Sequence, residues 1–330
     1  MVVVVLLVGA GGTALCARSR LDAPVSGNTG GVAIDVASGE TLDGLVTELQ
    51  SHDLVRDPFW FRWYARLRGL GSQLKAGRYH LDSGMGASAV VARLEMPPDA
   101  RTVRVVIPEG LIATQIAERV QATGLGVSAA AYLGEERTGQ FTAGFIEGRP
   151  AGASLEGMLF PDTYDVPVGA SAHDVVAQQL EAFTAKALPM VGAPPQGLTP
   201  YQAVVLASIV EREARLPADR PMVAGVLYNR LVRGMDLQVD ASVIYGVGVT
   251  DRAPTSDELK RDTPYNTYLH RGLPPTPISN PGLASLEAAA HPVPSNYLYY
   301  VSDGCGHNHY SSTLAAHNAL VQQYLNSPCR

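Results

Sequence analysis

The chain has 330 residues, 46% of them hydrophobic, which is enough for a folded core and for two domains and excludes general disorder. The formal net charge is −6, and no long basic run interrupts the sequence. Broad nucleic-acid binding is therefore excluded.

The chain begins with an apolar segment, Val2 to Ala17, which is shorter than the roughly 20 residues of a spanning helix. We expect residues 1–18 to be a membrane anchor or a signal-like segment. No A-x-A pattern closes the segment and no basic residue precedes it, so it matches neither type fully. Residues 19–31 are rich in Gly, Pro, Ser and Asn and predict a flexible linker.

Residues 32–98 predict a small α+β module. Alternating Val32, Ile34 and Val36 indicate a strand, and a second strand is expected around Tyr79. Helices are predicted from Leu42, after Asp57 and from Ala87. The helix after Asp57 carries an aromatic stripe at helical spacing. We expect this stripe to face the core, although aromatic rings can also stack on sugars; its members are Trp60, Trp63, Tyr64 and Leu67.

Residues 99–330 predict a larger, mixed α+β domain that opens with a strand from Val103 to Ile107 and a helix from Ile112. Further on, Glu156 and Asp162 lie beside aromatic residues, a mixture that suits sugar hydroxyls and rings. A rigid turn in which Asp162 is satisfied within the protein explains the same pattern equally well.

One helix stands out in this domain. Thr199 and Gln202 form a capping box, so the helix should begin at Pro200. From Ala203 to Val210 every face is apolar except for one serine, which predicts burial. Glu211 follows on the inward face. A carboxylate there loses hydration, which disfavours its charged form, and a general acid needs that property.

Glu213 is the second carboxylate at this helix end, and it points to another side. Since it lies between Arg212 and Arg215, we interpret it as an ionised surface group. A second helix is predicted after Asp219. Strict alternation from Met235 to Asp240 then predicts a strand with one polar edge.

Two proline-stiffened loops follow, Pro264 to Tyr268 and Gly272 to Gly282, and they can hold polar groups still for a ligand. Near the C terminus the spacing of His307, His309 and His317 resembles a zinc site, but no convincing further ligand completes it, so we predict no metal and no cofactor. Cys305 and Cys329 are either a disulfide or two free thiols.

Four motifs carry a family resemblance: LASIVEREA, NRL-x-x-G-M-x-LQ-x-D-x-x-V-IYG, PYNTY and GLPPTPISNPG, in that order. They resemble the YceG-like family of endolytic murein transglycosylases. The resemblance implies a LysM-like front module, an N-terminal anchor in the plasma or inner membrane, and a catalytic domain outside the cytoplasm. It also implies peptidoglycan glycan strands as substrate and peptidoglycan synthases as partners.

The resemblance further implies that Glu211 is the acid and base that cleaves the MurNAc-GlcNAc bond, leaving 1,6-anhydro ends and terminating strand elongation. The residues implied as substrate-binding are Gln238, Asp240, Tyr265, Asn266, Thr267, Tyr268 and Asn280, together with Glu156 and Asp162. Two alternatives stay open. One is a non-catalytic peptidoglycan-binding scaffold, and the other is a muramidase that uses water, with Asp240 as its base.

Overall fold

The computed structural model describes residues 31–82, 84–99, 101–141, 146, 148–250, 252–303 and 305–324. The apolar N-terminal segment and nearly all of the linker lie outside the described residues. Among the described residues, no helix has the length and apolarity needed to cross a bilayer. The chain forms two compact units, the first ending at Thr102 and the second starting at Val103. The sequence placed this boundary between residues 98 and 99.

The first unit is an antiparallel pair of strands with helices between and after them. Strand β1 (Gly31–Val36) pairs with β2 (Gly77–Asp82), so that Ile34 lies opposite Tyr79. The helices are α1 (Leu42–Ser51), α2 (Pro58–Leu67), α3 (Leu70–Gln73) and α4 (Ala87–Glu95). Every element predicted for residues 32–98 is present, while the identification of the unit as LysM-like stays a prediction.

The aromatic stripe of α2 is only partly buried, which corrects our expectation that it forms core. Trp63 is 50% exposed and Leu67 is 68% exposed, whereas Phe61 and Ala65 are fully buried. The rings of Trp60 and Trp63 contact each other edge to face instead.

The second unit is mostly helical. Strand β3 (Thr102–Val106) pairs with β4 (Thr163–Pro167), and β5 (Tyr299–Ser302) forms an antiparallel hairpin with β6 (Asn308–Ser311). The helices are α5 (Ala113–Ala122), α6 (Ala129–Thr138), α7 (Ala172–Lys186), α8 (Leu188–Val191), α9 (Pro200–Glu213), α10 (Arg220–Val232), α11 (Asp240–Gly246), α12 (Leu283–Ala290) and α13 (Leu314–Tyr324). The α+β class is confirmed.

The segment from Met235 to Asp240 is irregular, so the prediction of a strand there is wrong. The alternation of burial is nevertheless real, because Leu237 and Val239 are buried whereas Gln238 and Asp240 are exposed. The backbone groups of this segment bond to the Arg230 side chain and to Thr267, so no neighbouring strand is needed.

Gly157 lies in the loop before β4 and packs against helix α9 and the loop from Gly272 to Gly282. Its φ is +87°, a region that L side chains rarely adopt. An added Cβ would lie 2.4 Å from Pro277 and 3.0 Å from Val204. The loop from Gly272 to Gly282, called the Pro-rich loop below, and α9 can therefore pack directly against this residue because it has no side chain.

We predict that Gly157→Ala lowers the free energy of unfolding by about 2–4 kcal/mol, because a left-handed backbone and overpacking both oppose the new methyl group. Chemical denaturation monitored by circular dichroism measures the loss. Gly169→Ala is the matched control, since Gly169 has φ +89° but open space around it, and should cost only about 1 kcal/mol. Equal losses in the two variants would contradict the close packing at Gly157.

Candidate active site

Helix α9 brings two carboxylates to one end of the larger core. Its first turn is capped by Thr199, whose Oγ1 accepts from the Gln202 N–H at 3.2 Å. All residues from Ala203 to Val210 are buried. The helix ends at Glu213, so Glu211 and Glu213 occupy the turn that leaves the apolar core.

Glu211 is held inside the protein. Its side chain is 6% exposed, and Arg220 Nη2 lies 3.0 Å from Oε1. The Gly282 N–H donates to Oε2 at 3.1 Å. The same Arg220 nitrogen also lies 3.4 Å from Glu109. Both oxygens of Glu211 thus accept from protein donors, an arrangement that suits a structural ion pair.

Glu213 instead lies on the wall of a cavity of about 370 Å³. The Tyr300 hydroxyl donates to its Oε2 at 2.8 Å. Burial raises the pKa of Glu213; the Tyr300 hydrogen bond opposes this rise, the negative charge of Asp240 adds to it, and a hydrogen bond from the Ala241 N–H opposes it. The positive charge of Arg212 also lowers this pKa, but it is the last of the causes. Glu213 is therefore part of the cavity wall, with a raised pKa, rather than the free surface carboxylate that we expected.

Three of the residues predicted for substrate binding, Gln238, Asp240 and Tyr268, lie on the same cavity as Glu213. The Tyr268 hydroxyl donates to Asp240 Oδ1 at 2.6 Å. Gln238 has φ +55°, which is uncommon for a residue other than glycine, and its N–H bonds to the Thr267 carbonyl at 3.1 Å. Such strain is found at binding sites that the surrounding structure holds in place. The remaining lining residues are Arg230, Leu237, Tyr299, Tyr300 and His317.

The other residues predicted in the PYNTY motif support the cavity from behind. Asn266 is fully buried and donates to the carbonyls of Leu259 and Arg261 at 3.0 and 2.8 Å. Thr267 Oγ1 accepts from the Val239 N–H at 2.9 Å. The Tyr265 hydroxyl lies 2.7 Å from Thr276 Oγ1. These contacts fix the loop that carries Tyr268.

Glu156 and Asn280 form a buried network away from the cavity lining. Asn280 Oδ1 accepts from the Gly157 N–H at 2.8 Å, and its Nδ2 donates to Glu156. Glu156 also accepts from the Ala113 N–H at 3.0 Å. Burial raises the pKa of Glu156 to about 8, the Ala113 hydrogen bond opposes the rise, and the charge of Glu136 adds to it. Hydrogen bonds within the protein occupy both Asn280 and Glu156.

Asp162 is not among the residues that line the cavity. It pairs with Lys186 and accepts from the Thr163 N–H at 2.8 Å. These contacts match the alternative in which a satisfied aspartate stabilises a turn.

The family model for the YceG-like family matches residues 34–323. The chain belongs to the YceG-like family. An endolytic murein transglycosylase of Bacillus subtilis (strain 168) is 29% identical over 96% of this chain and 91% of its own length. Another, of Streptococcus pneumoniae serotype 2, is 28% identical over 90% of this chain, which spans only 59% of that relative. The 2.6 Å crystal structure of a yceG-like protein from Listeria monocytogenes has a TM-score of 0.60 at 30% identity, covering 89% of this chain and 100% of that one.

The histidines near the C terminus of this family member do not share one site: His307 lies 3.6 Å from Asp303, as part of a group that does not include His317. His309 stacks on Tyr324 and lies 3.2 Å from Asp303, whereas His317 stacks on Tyr299. Ligand atoms of Asp303, Cys305 and His307 do come within 4.8 Å of one another. However, Cys305 is disulfide-bonded and so offers no thiolate, while Cys16 and Cys329 lie outside the described residues.

Sequence reasoning did not place Arg230, Tyr299, Tyr300 or Leu237 at the site, and it considered His317 only as a zinc ligand. A signal for Arg230 was present, because it lies at helical spacing from Val223 and Val226 on the buried face of α10. A charged residue on such a face needs a polar environment. Tyr299 and Tyr300 belong to β5, and no local sequence signal indicates that their side chains face a cavity.

Glu156 should make stability depend on pH. Its pKa in the folded chain, about 8, lies above the ordinary value of 4.5, so its contribution is greatest below about pH 4.5 and is lost as the pH rises to 8. The slope is at most about 1.4 kcal/mol per pH unit. We predict that Glu156→Gln, which cannot ionise, becomes more stable relative to wild type across this range.

Urea denaturation at a series of pH values measures this difference. Glu181→Gln, at an exposed position of α7, is the matched control for the removal of one carboxyl group. Parallel curves of unfolding free energy against pH for Glu156→Gln and wild type would contradict the raised pKa of Glu156.

Proposed function

We propose that this YceG-like chain is an endolytic lytic transglycosylase that cleaves the β-1,4 bond between MurNAc and GlcNAc in nascent peptidoglycan and leaves 1,6-anhydro-MurNAc ends. Such cleavage terminates glycan strand elongation. The names of the relatives support this reading. The observation that carries it for this chain is the Glu213 carboxyl group, with its raised pKa, on the wall of a cavity lined by polar and aromatic side chains.

Glu213 is the residue that best fits the acid. Cleavage requires a proton on the leaving oxygen while positive charge develops at the sugar carbon. Burial and the charge of Asp240 favour the protonated form of Glu213, which can supply this proton. Once the proton has left, the Tyr300 hydroxyl and the Ala241 N–H stabilise the carboxylate.

The same carboxylate can then complete the reaction. It accepts the proton of the 6-hydroxyl of the muramic residue as that oxygen attacks the sugar carbon and closes the anhydro ring. One glutamate therefore serves as acid and then as base, without a second carboxylate. Gln238 and Tyr268 offer an amide and a hydroxyl that can bind the sugars on either side of the scissile bond.

A muramidase that uses water is the second candidate. Asp240 favours it, because this acidic residue lies on the same cavity and is near enough to influence Glu213. A carboxylate in that place could activate water as a general base. Its oxygen already accepts from Tyr268, which favours a supporting role. The two reactions give different ends, anhydro or reducing.

We also propose the cellular setting that the family resemblance implied. The apolar N-terminal segment would hold the protein in the plasma or inner membrane, with the catalytic unit outside the cytoplasm. There the enzyme would meet nascent glycan beside the peptidoglycan synthases.

We predict that Glu213→Gln lowers the release of anhydromuropeptides at least about a hundredfold, because glutamine cannot donate or accept the catalytic proton. The full chain is incubated with purified sacculi, and the soluble products are identified by mass spectrometry. The circular dichroism spectrum and the melting temperature should stay close to those of wild type.

Glu211→Gln is the matched control. It breaks the pair with Arg220 and should lower the free energy of unfolding by on the order of 3 kcal/mol. The fraction that remains folded should still release anhydro products. Loss of activity in a folded Glu211→Gln, with activity retained in Glu213→Gln, would return the acid to Glu211. Reducing ends would instead identify a muramidase.

A further inference from the structure

The cavity beside Glu213 contains a buried positive charge, the guanidinium group of Arg230, which is 7% exposed. Its Nε donates to the Leu298 carbonyl at 2.7 Å, and its Nη1 donates to the Leu237 carbonyl at 2.7 Å. Among the residues that the structure describes, Nη2 donates no hydrogen bond and no carboxylate forms an ion pair with this guanidinium. The cation is thus held firmly while one nitrogen is left for another acceptor.

A buried cation without a counterion is costly by several kcal/mol, and carbonyl dipoles offset only part of that cost. Arg230 is nevertheless placed on the wall of an open cavity. An anionic group of a ligand could complete its coordination there, and a charge-assisted hydrogen bond of this kind is about twice as strong as a neutral one.

His317 belongs to the same wall. Its ring stacks on Tyr299 with centroids 5.3 Å apart, and Arg230 Cζ lies 5.1 Å from the centroid of the Tyr299 ring. Within the described residues, Nδ1 of His317 is buried and has no hydrogen-bond partner. Burial and then the charge of Arg230 lower the pKa of His317, so its ring is neutral at neutral pH and carries one N–H. Arg230 Nη2 is therefore a donor without an acceptor among the described residues, and the adjacent His317 ring has a nitrogen, Nδ1, without a partner.

We propose that Arg230 and His317 form a subsite that binds a carboxylate of the glycan substrate. The inference rests on the proposed function. The hexosamine backbone of murein is neutral, and its carboxylates lie on the muramic residues. They belong to the lactyl group where the peptide stem is absent, or to the stem where it is present. Asp240 repels an anion, so a carboxylate in the cavity would lie beside Arg230 and would orient the strand relative to the acid.

Binding to inactive Glu213→Gln protein tests the subsite. Calorimetry measures the affinity for three sets of murein oligosaccharides of equal length: with peptide stems, without stems and with a free lactyl carboxylate, and without stems but with that group converted to a neutral methyl amide. We expect the neutral set to bind about tenfold more weakly than the better of the other two. Preference for the stem-bearing set would identify a stem carboxylate, and preference for the second set would identify the lactyl group.

Adding His317→Phe keeps an aromatic ring beside Tyr299 but removes the donor, and adding Arg230→Lys removes the fork of the guanidinium. Each should reduce the preference for the charged sets. The matched control, His291→Phe at an exposed position, should leave the preference unchanged. Since Arg230 also bonds to backbone carbonyls, His317→Phe decides the result if Arg230→Lys does not fold.

Equal affinity of Glu213→Gln for all three sets would overturn the subsite, as would equal weakening of all three by His317→Phe. These outcomes differ from a failure of the proposed function. If the proposed function is wrong, the wild-type chain releases no fragments from sacculi, whatever preference the binding experiment shows.

Discussion

The enclosure of helix α9 is the constraint on which the rest of the larger unit depends. Its residues from Ala203 to Val210 are buried, so other elements must cover every side of the helix. Ser208 shows how closely they do so: its Oγ accepts from the Ile278 N–H at 3.0 Å, and its carbonyl accepts from Ser279. The Pro-rich loop is thereby fixed to the helix that carries the candidate acid.

The same constraint explains why two nearby glutamates have different surroundings. Residues two positions apart on a helix point about 200° away from each other. At the end of a fully enclosed helix both directions meet protein. Glu211 meets the guanidinium of Arg220 and forms an ion pair with it. Glu213 meets a tyrosine and an aspartate beside a cavity, where its protonated form is favoured. Glu211 and Glu213 are the same residue type, and only the groups that surround their carboxylates differ.

Much of the fold could be predicted because its signals are local. The capping box at Thr199, the apolar run after Pro200 and the alternation around Ile34 each specify an element within a few residues. The cavity is different, because its partners come from distant parts of the chain. Tyr300 reaches Glu213 from the C-terminal hairpin, and no local pattern identifies that contact. The motifs therefore named Gln238, Asp240 and Tyr268, which line one cavity, but they named Glu211 on α9, whereas the carboxylate on that cavity is Glu213.

Arg230 connects the packing of this unit to its chemistry. Its bonds to the carbonyls of Asp236 and Leu237 hold the segment in which Gln238 takes a left-handed conformation. An apolar side chain on the same helix face would fill space but would leave those carbonyls unsatisfied, at a cost of about 1–3 kcal/mol for each. A lysine could reach fewer of them at fixed angles. A guanidinium group can donate hydrogen bonds to the carbonyls of this segment and still present one nitrogen to the cavity. The position that keeps Gln238 beside Glu213 is thus the position that places a positive charge on the substrate side.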